Sequence, residues 1–153
     1  MTSVVKLADV ARKTSSGYPQ PYNEAVKGRA RAVLGNFFGL DQFGVNVVTL
    51  APGSWSSQRH WHEGEDEFVY VLDGQIVLVD DAGEHIMTSG MCAGFKAGNS
   101  NGHHLKNLSS LPASYLEIGA RLQNDKAHFS DIDMVAIKED GAFRFVKRDG
   151  SEF

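Results

Sequence analysis

From Phe43 onward, apolar and polar residues alternate in short runs that glycine-containing turns separate. The first run, residues 43–50, is β-branched and alternating, which is typical of a half-buried strand. Further strands are predicted at residues 58–62, 67–72, 75–79, 84–88, 103–108, 115–121, 134–138 and 142–147. Short strands that recur every 8–12 residues or so indicate a sandwich or barrel rather than βαβ units. We therefore expect an all-β fold.

The segment before residue 43 lacks this alternation. Residues 1–17 are polar and mixed, whereas residues 24–34 carry apolar side chains at helical spacing, which predicts a short helix. We expect one domain with three parts: residues 1–42 as an N-terminal arm and short helix packed on the barrel, residues 43–125 as the barrel core, and residues 126–153 as a C-terminal hairpin. Within the core, Asp73-Gly74 predicts a two-residue hairpin turn.

Composition and charge exclude several functions. The chain has 153 residues with 42% hydrophobic residues and a net charge of −4, which offers no basic patch for nucleic acid or anionic lipid. Its longest apolar run, residues 68–72, is far shorter than the roughly 20 residues that cross a bilayer. We see no secretory signal, and the single cysteine, Cys92, is expected to be a small buried hydrophobe. We therefore predict a cytoplasmic protein with no nucleic-acid or membrane partner.

Two histidines and a glutamate form the first candidate site. His60 and His62 alternate on a predicted strand, so their side chains project the same way, about 7 Å apart. Glu67 opens the next strand, residues 67–72, which is apolar on both faces and must be covered on both. A closed sheet provides that cover, and inside it an unpaired Glu67 carboxylate would cost several kcal/mol. A cation beside Glu67 removes this cost.

Two spaced motifs in the chain resemble the two motifs of the cupin superfamily: Gly53-(six residues)-His60-x-His62-(four)-Glu67-(six)-Gly74, and Gly90-(seven)-Gly98-(four)-His103-(three)-Asn107. The sequences that flank the motifs are similar to small single-domain bacterial cupins, most of which have no assigned function. The resemblance implies a double-stranded β-helix, the jelly-roll or cupin barrel. It also implies a metal site held by His60, His62, Glu67 and His103.

The second motif leaves one ligand open. Lys96 stands where the family commonly has proline. The loop before the histidine is two residues longer than usual, so His104 is an alternative to His103. Strand alternation favours His103, because His103 would share a face with Leu105, which suits a barrel interior better than Lys106 does.

The ligand set does not choose one metal or one reaction. Three imidazoles and a carboxylate are compatible with Zn, Mn, Fe, Ni, Co or Cu, and acid below about pH 6 should release the ion. Open positions on the metal predict an enzyme acting on a small oxygen-rich molecule, of isomerase, lyase or dioxygenase type. A non-catalytic cupin that binds or senses a small molecule is the alternative. Interior candidates for proton transfer are Gln58, Asn107 and Glu117, none of them compelling.

The acidic loop before Glu67 and the outer face of the strand at residues 67–72 are expected to have structural roles. Glu63, Glu65 and Asp66 are expected to be solvated loop charges. Edge strands and the apolar outer face of residues 67–72 favour a homodimer, in which a second copy covers that face.

Overall fold

The computed structural model describes residues 4–153, and β-strands dominate it. The thirteen strands are β1 (Arg12–Lys13), β2 (Arg29–Val33), β3 (Phe43–Leu50), β4 (His60–His62), β5 (Glu67–Asp73), β6 (Gln75–Asp80), β7 (Gly83–Thr88), β8 (Cys92–Phe95), β9 (His104–Lys106), β10 (Ala113–Ala120), β11 (Asp125–Phe129), β12 (Val135–Glu139) and β13 (Ala142–Val146). The helical pieces in this range are short: one α-helix, α1 (Leu34–Phe37), and 3-10 turns at Leu7–Asp9 and Glu24–Val26. The predicted all-β class is confirmed.

Antiparallel pairing arranges the strands in three sheets. Their strand orders are β1-β2-β3-β10-β5-β8, β13-β12-β11-β4 and β7-β6-β9. An isolated bridge between His60 and His103, with backbone hydrogen bonds of 2.9 and 3.1 Å, connects the two smaller sheets. Side chains of the six-stranded and three-stranded sheets share one buried core, which includes Val48, Leu50, Val71, Ile76 and Leu78. The six-stranded sheet forms one layer, and the two smaller sheets, joined by the bridge, form the other. This two-layered, all-antiparallel arrangement is a jelly roll.

The helix predicted over residues 24–34 is wrong. A 3-10 turn occupies Glu24–Val26, and Arg29–Val33 is the strand β2, paired with β3 from Arg29 opposite Leu50 to Val33 opposite Asn46. The free edge of β3 supplies backbone partners that a helix at this position would leave unused. Alternation of arginine with alanine over residues 29–32 is the strand period that the helical interpretation overlooked.

The hairpin predicted at Asp73-Gly74 is also wrong. Gly74 does adopt a positive φ of 79°, but β5 and β6 belong to different sheets. Both edges of β5 are already paired, one with β10 and the other with β8, so no edge is left for β6. The turn therefore carries the chain from one layer of the jelly roll to the other.

The outer face of the six-stranded sheet is covered only in part. Val10, Ala32 and Val47 form a small buried cluster there, with Val5 and Leu7 of the N-terminal segment packed against it. On β5, the outward side chains Phe68, Tyr70 and Leu72 remain 37–42% exposed. Next to them, Cys92 is exposed rather than buried as predicted, because it lies opposite Tyr70 on β8. Coverage of this face by a second copy stays a prediction.

None of the helices in residues 4–153 is both long enough and apolar enough to cross a bilayer.

Candidate metal centre

Four side chains from both layers come together beside the space between the layers. His60 and His62 lie on β4, Glu67 is the first residue of β5, and His103 directly precedes β9. The imidazole Nε2 atoms surround the carboxylate: His60 Nε2 is 3.7 Å from Glu67 Oε2, and His62 Nε2 is 3.7 Å from Oε1. His103 Nε2 is 3.0 Å from Oε2. The four residues predicted as ligands are therefore brought together in space.

The other ring nitrogens of the β4 histidines are engaged by acceptors. His62 Nδ1 donates a hydrogen bond of 2.6 Å to Asp125 Oδ2, and His60 Nδ1 donates one of 2.9 Å to the Gln58 carbonyl oxygen. These contacts hold the proton on Nδ1, so each ring presents the lone pair of Nε2 toward Glu67. Metal-binding histidines typically have this kind of outer-sphere partner.

The electrostatics of the cluster suit a cation. Burial lowers the pKa of His60 to about 4, which keeps the ring neutral and able to ligate. Burial alone would raise the pKa of Glu67, but the surrounding imidazoles, His103 first, outweigh it and hold that pKa below its ordinary value. Glu67 Oε2 and His103 Nδ1 are buried without a well-oriented hydrogen-bond partner among residues 4–153. A divalent cation would satisfy the carboxylate oxygen, so these residues fit a metal.

His104 points away from this cluster. Its Nδ1 donates a 3.0 Å hydrogen bond to the Ser57 carbonyl oxygen, and its ring packs edge-on against Trp55 with centroids 4.8 Å apart. The His103 ring instead stacks on Phe95, with centroids 3.4 Å apart, while its Nε2 faces Glu67. Of the two alternatives, His103 is therefore the one whose ring faces Glu67.

A second group of charged residues supports His62 from behind. The Asp125 side chain is fully buried and also accepts a 2.8 Å hydrogen bond from the Gly64 amide. Glu65 is buried as well, and accepts hydrogen bonds from Lys138 Nζ at 2.7 Å and the Leu122 amide at 2.8 Å. The expectation that Glu65 is a solvated loop charge is therefore wrong.

Sequence reasoning missed Asp125 altogether. It opens β11, a strand that the alternation pattern did not reveal, and β11 pairs with β4 so that Ala127 lies opposite His62. Only this long-range pairing brings Asp125 to the ring, because 63 positions separate it from His62.

We expect Asp125→Asn to weaken metal binding by about 10–100-fold, since a neutral amide stabilises the Nδ1-protonated ring less well than a carboxylate does. Titration calorimetry with Mn²⁺ or Zn²⁺ measures this change. The matched control is Glu63→Gln, because Glu63 accepts a 2.7 Å contact from His128 outside the cluster. Equal affinities for Asp125→Asn and wild type would show that Asp125 does not orient His62.

The cluster opens onto a cavity of about 440 Å³ between the layers. Besides the four residues of the cluster, its walls include the polar side chains Arg29, Arg31, Tyr115 and Glu117. Aromatic side chains of the other layer, among them Phe129, Phe143 and Phe145, line the opposite wall. The wall formed by the six-stranded sheet is therefore polar, and the opposite wall combines aromatic side chains with the histidines of β4. Small-molecule sites commonly combine an apolar lining with a few polar groups.

Among the three interior candidates for proton transfer, Glu117 is the one that lines the cavity. Glu117 Oε1 accepts a 2.9 Å hydrogen bond from Asn46 Nδ2. Gln58 Nε2 instead donates to the Tyr22 carbonyl oxygen, and Asn107 Nδ2 donates to that of Leu50. The latter two side chains therefore hold loops and strands together.

The register of β10 against β5 orders the polar groups along the wall. Gly119 lies opposite Glu67, Glu117 opposite Val69, and Tyr115 opposite Val71. Glu117 therefore stands between the metal cluster and the row that contains Tyr115.

Comparison with known proteins defines the class. Residues 46–119 match the family model of the cupin domain. The whole chain also superposes on a sugar phosphate isomerase of the cupin superfamily from Silicibacter pomeroyi, with 44% identity and a TM-score of 0.95, over 99% of this chain and 96% of that one. The protein belongs to the cupin superfamily.

More distant structures share the fold. An inferred sugar phosphate isomerase from Acidithiobacillus ferrooxidans is 26% identical, with a TM-score of 0.74 and 80% of each chain covered. The polyketide cyclase from Streptomyces resistomycificus is 21% identical, with a TM-score of 0.65 over 78% of this chain and 80% of that one, which shows the fold alone. We find no match among curated protein sequences.

Proposed function

We propose that the protein is a metal-dependent enzyme that isomerises a small phosphorylated sugar. One observation carries the proposal: the Nε2 atoms of three imidazoles lie 3.0–3.7 Å from the Glu67 carboxylate oxygens, beside a 440 Å³ cavity. The choice of isomerase is supported by the sugar phosphate isomerase from Silicibacter pomeroyi, with which the chain shares 44% identity over nearly its full length.

In this proposal His60, His62, Glu67 and His103 hold the metal. Three imidazoles and one carboxylate accept Mn, Fe, Co, Ni, Cu or Zn. Such an ion would supply a Lewis acid for a carbonyl oxygen of the substrate. The reaction also needs a group that transfers the proton and groups that bind the rest of the sugar. Side chains of this protein provide both.

Glu117 is the proposed proton carrier. Interconversion of an aldose and a ketose takes a proton from the carbon beside the carbonyl and returns one to the former carbonyl carbon, while the hydroxyl proton moves between the two oxygens. A carboxylate that faces both carbons can remove the first proton and return it. Asn46 Nδ2 donates a hydrogen bond to Glu117 Oε1, so Oε2 is the oxygen that is left to accept the proton from carbon.

The test combines metal analysis with a substrate panel. Protein purified without a metal-affinity tag is expected to contain one equivalent of a transition metal per chain. With that metal it should interconvert an aldose phosphate and its ketose, followed by NMR; chelation should stop the reaction and metal addition restore it. Turnover that persists in chelator would contradict the proposal. Binding of sugar phosphates without conversion would favour the non-catalytic alternative.

The stability of the protein should fall as pH drops from about 6.5 to about 4. Because burial lowers the pKa of His60 to about 4, the unfolded chain binds more protons than the folded one in this interval. The free energy of unfolding therefore decreases by up to about 1.4 kcal/mol per pH unit for this group. Metal adds to the effect, since protonated imidazole cannot ligate.

Thermal melts across this pH range, with and without chelator, measure both contributions. Metal-loaded protein should melt at a higher temperature than chelated protein near pH 7.5, and the difference should vanish by about pH 4. Identical melting temperatures in both samples at neutral pH would contradict occupation of the site.

A further inference from the structure

The cavity wall away from the histidines carries two arginines without acidic partners. Arg29 and Arg31 are two residues apart on β2, so both side chains leave the same face of the strand, about 7 Å apart along it. Both line the cavity. In the described part of the chain, the arginines that form ion pairs are Arg59 and Arg144. Neither guanidinium therefore contacts a carboxylate, although Glu117 of the same cavity attracts Arg29 from a longer distance.

Burial makes a guanidinium without a contacting carboxylate costly. Arg29 is only 8% exposed, and its Nη1 donates to the Ser56 carbonyl oxygen. Arg31 Nε is buried and has no acceptor among residues 4–153. Burial first, and then the like charge of Arg31, lower the pKa of Arg29. A buried guanidinium with unused donors is stabilised most by an oxyanion, which accepts charge-assisted hydrogen bonds.

A third unused donor stands beside the arginines. The Tyr115 side chain is fully buried, and the Ser56 hydroxyl lies near its Oη, but no well-oriented hydrogen bond engages that Oη within the described chain. Pairing across the sheet puts Arg31 opposite Val48, and Val48 opposite Tyr115, so Arg31 and Tyr115 share one row of the wall. Burial raises the pKa of Tyr115 well above 10, so the phenol keeps its proton and can donate it to an anion.

We propose that Arg29, Arg31 and Tyr115 form the subsite that binds the phosphate group of the substrate. The proposal rests on the proposed function for the rest of the substrate, but the oxyanion site is defined by these three side chains alone. Two guanidinium charges match a phosphate monoester, whose charge at neutral pH is between about −1.5 and −2. A carboxylate monoanion would balance only one of them.

The distance to the metal cluster suits a small linear molecule. Tyr115 lies four residues along β10 from Gly119, which is opposite Glu67, so about 13 Å of strand separate the two rows. Side chains that reach in from both rows shorten this gap, and Glu117 lies midway. A sugar bound by its phosphate at the arginine row would then extend its carbonyl end toward the metal, past the carboxylate.

The experiment uses inorganic phosphate as the probe, in titration calorimetry of metal-free and metal-loaded protein. Phosphate should bind the wild type in both states. Arg31→Gln should weaken binding at least tenfold, and Tyr115→Phe should weaken it by a smaller factor. Arg144→Gln, which changes an exposed arginine, should bind like the wild type. Circular dichroism checks that each variant is folded. If Arg31→Gln does not fold, the phosphate affinity of Tyr115→Phe tests the subsite instead.

A cluster variant separates the subsite from the metal. Glu67→Gln should keep phosphate binding, because it leaves the arginine row intact. Phosphate binding that disappears in Glu67→Gln, or that requires metal, would assign the anion to the metal and overturn the proposal. Wild-type affinity in both Arg31→Gln and Tyr115→Phe, or acetate binding tighter than phosphate, would also overturn it. Intact phosphate binding without isomerisation would refute only the proposed reaction, since this probe needs no turnover.

Discussion

Replacing His103 by asparagine is expected to abolish stoichiometric metal binding and, with it, turnover. The His103 ring brings Nε2 to 3.0 Å from Glu67 Oε2 and is stacked on Phe95, so its loss removes a donor that is already in place. The loss of affinity should exceed the roughly 10–100-fold that changing an outer-sphere partner costs. Elemental analysis of the purified variant and calorimetric titration with metal measure the result.

His104→Asn is the matched control, because it makes the same change one residue along the chain. The His104 ring bonds to the Ser57 carbonyl oxygen and packs on Trp55, outside the cluster. This variant should lose about 1–3 kcal/mol of stability through the lost buried hydrogen bond. It should nevertheless bind metal with nearly wild-type affinity. The reverse pattern, with metal lost from His104→Asn and kept by His103→Asn, would make His104 the ligand.

The features of the site that depend on one strand or one short loop were predictable from the sequence. His60 and His62 share a face because strand side chains alternate, and the spacing from His62 to Glu67 is set by one short loop. The cost of burying Glu67 alone already pointed to a cation. These local rules, together with the motif resemblance, were enough to assemble the four-residue cluster whose ligand role is still to be tested.

The parts that depend on pairing between distant strands were not predictable. Asp125 reaches His62 only because β11 pairs with β4, and Arg31 reaches the cavity only because β2 joins the edge of β3. Residues 24–34 have apolar side chains at helical spacing, and the partner that makes a strand of residues 29–33 is invisible in local sequence. Likewise, Asp73-Gly74 has the composition of a hairpin, but both edges of β5 are occupied by distant strands.

Glu117→Gln is expected to reduce kcat by about 10²–10⁴-fold while leaving the metal content close to wild type. Phosphate affinity should be equal to that of the wild type or higher, because the substitution removes a negative charge that acts on Arg29 and Tyr115. Glutamine preserves the size of the side chain, and its carbonyl oxygen can still accept the hydrogen bond from Asn46 Nδ2. It cannot take up a proton from carbon, so the chemical step alone should suffer. Steady-state kinetics, with the metal content of the same preparation, measure the effect.

The position of Glu117 explains why its loss should be selective. Along β10 it lies two residues from Gly119, which is opposite Glu67, and two residues from Tyr115. The substitution therefore leaves the side chains of the proposed ligands and of the phosphate subsite in the sequence unchanged. Glu139→Gln, which alters an exposed carboxylate paired with Arg144, should leave kcat unchanged. An unchanged kcat in Glu117→Gln would show that another group moves the proton. A rise in KM with constant kcat would instead make Glu117 a binding residue, because uniform binding is then what the substitution removes.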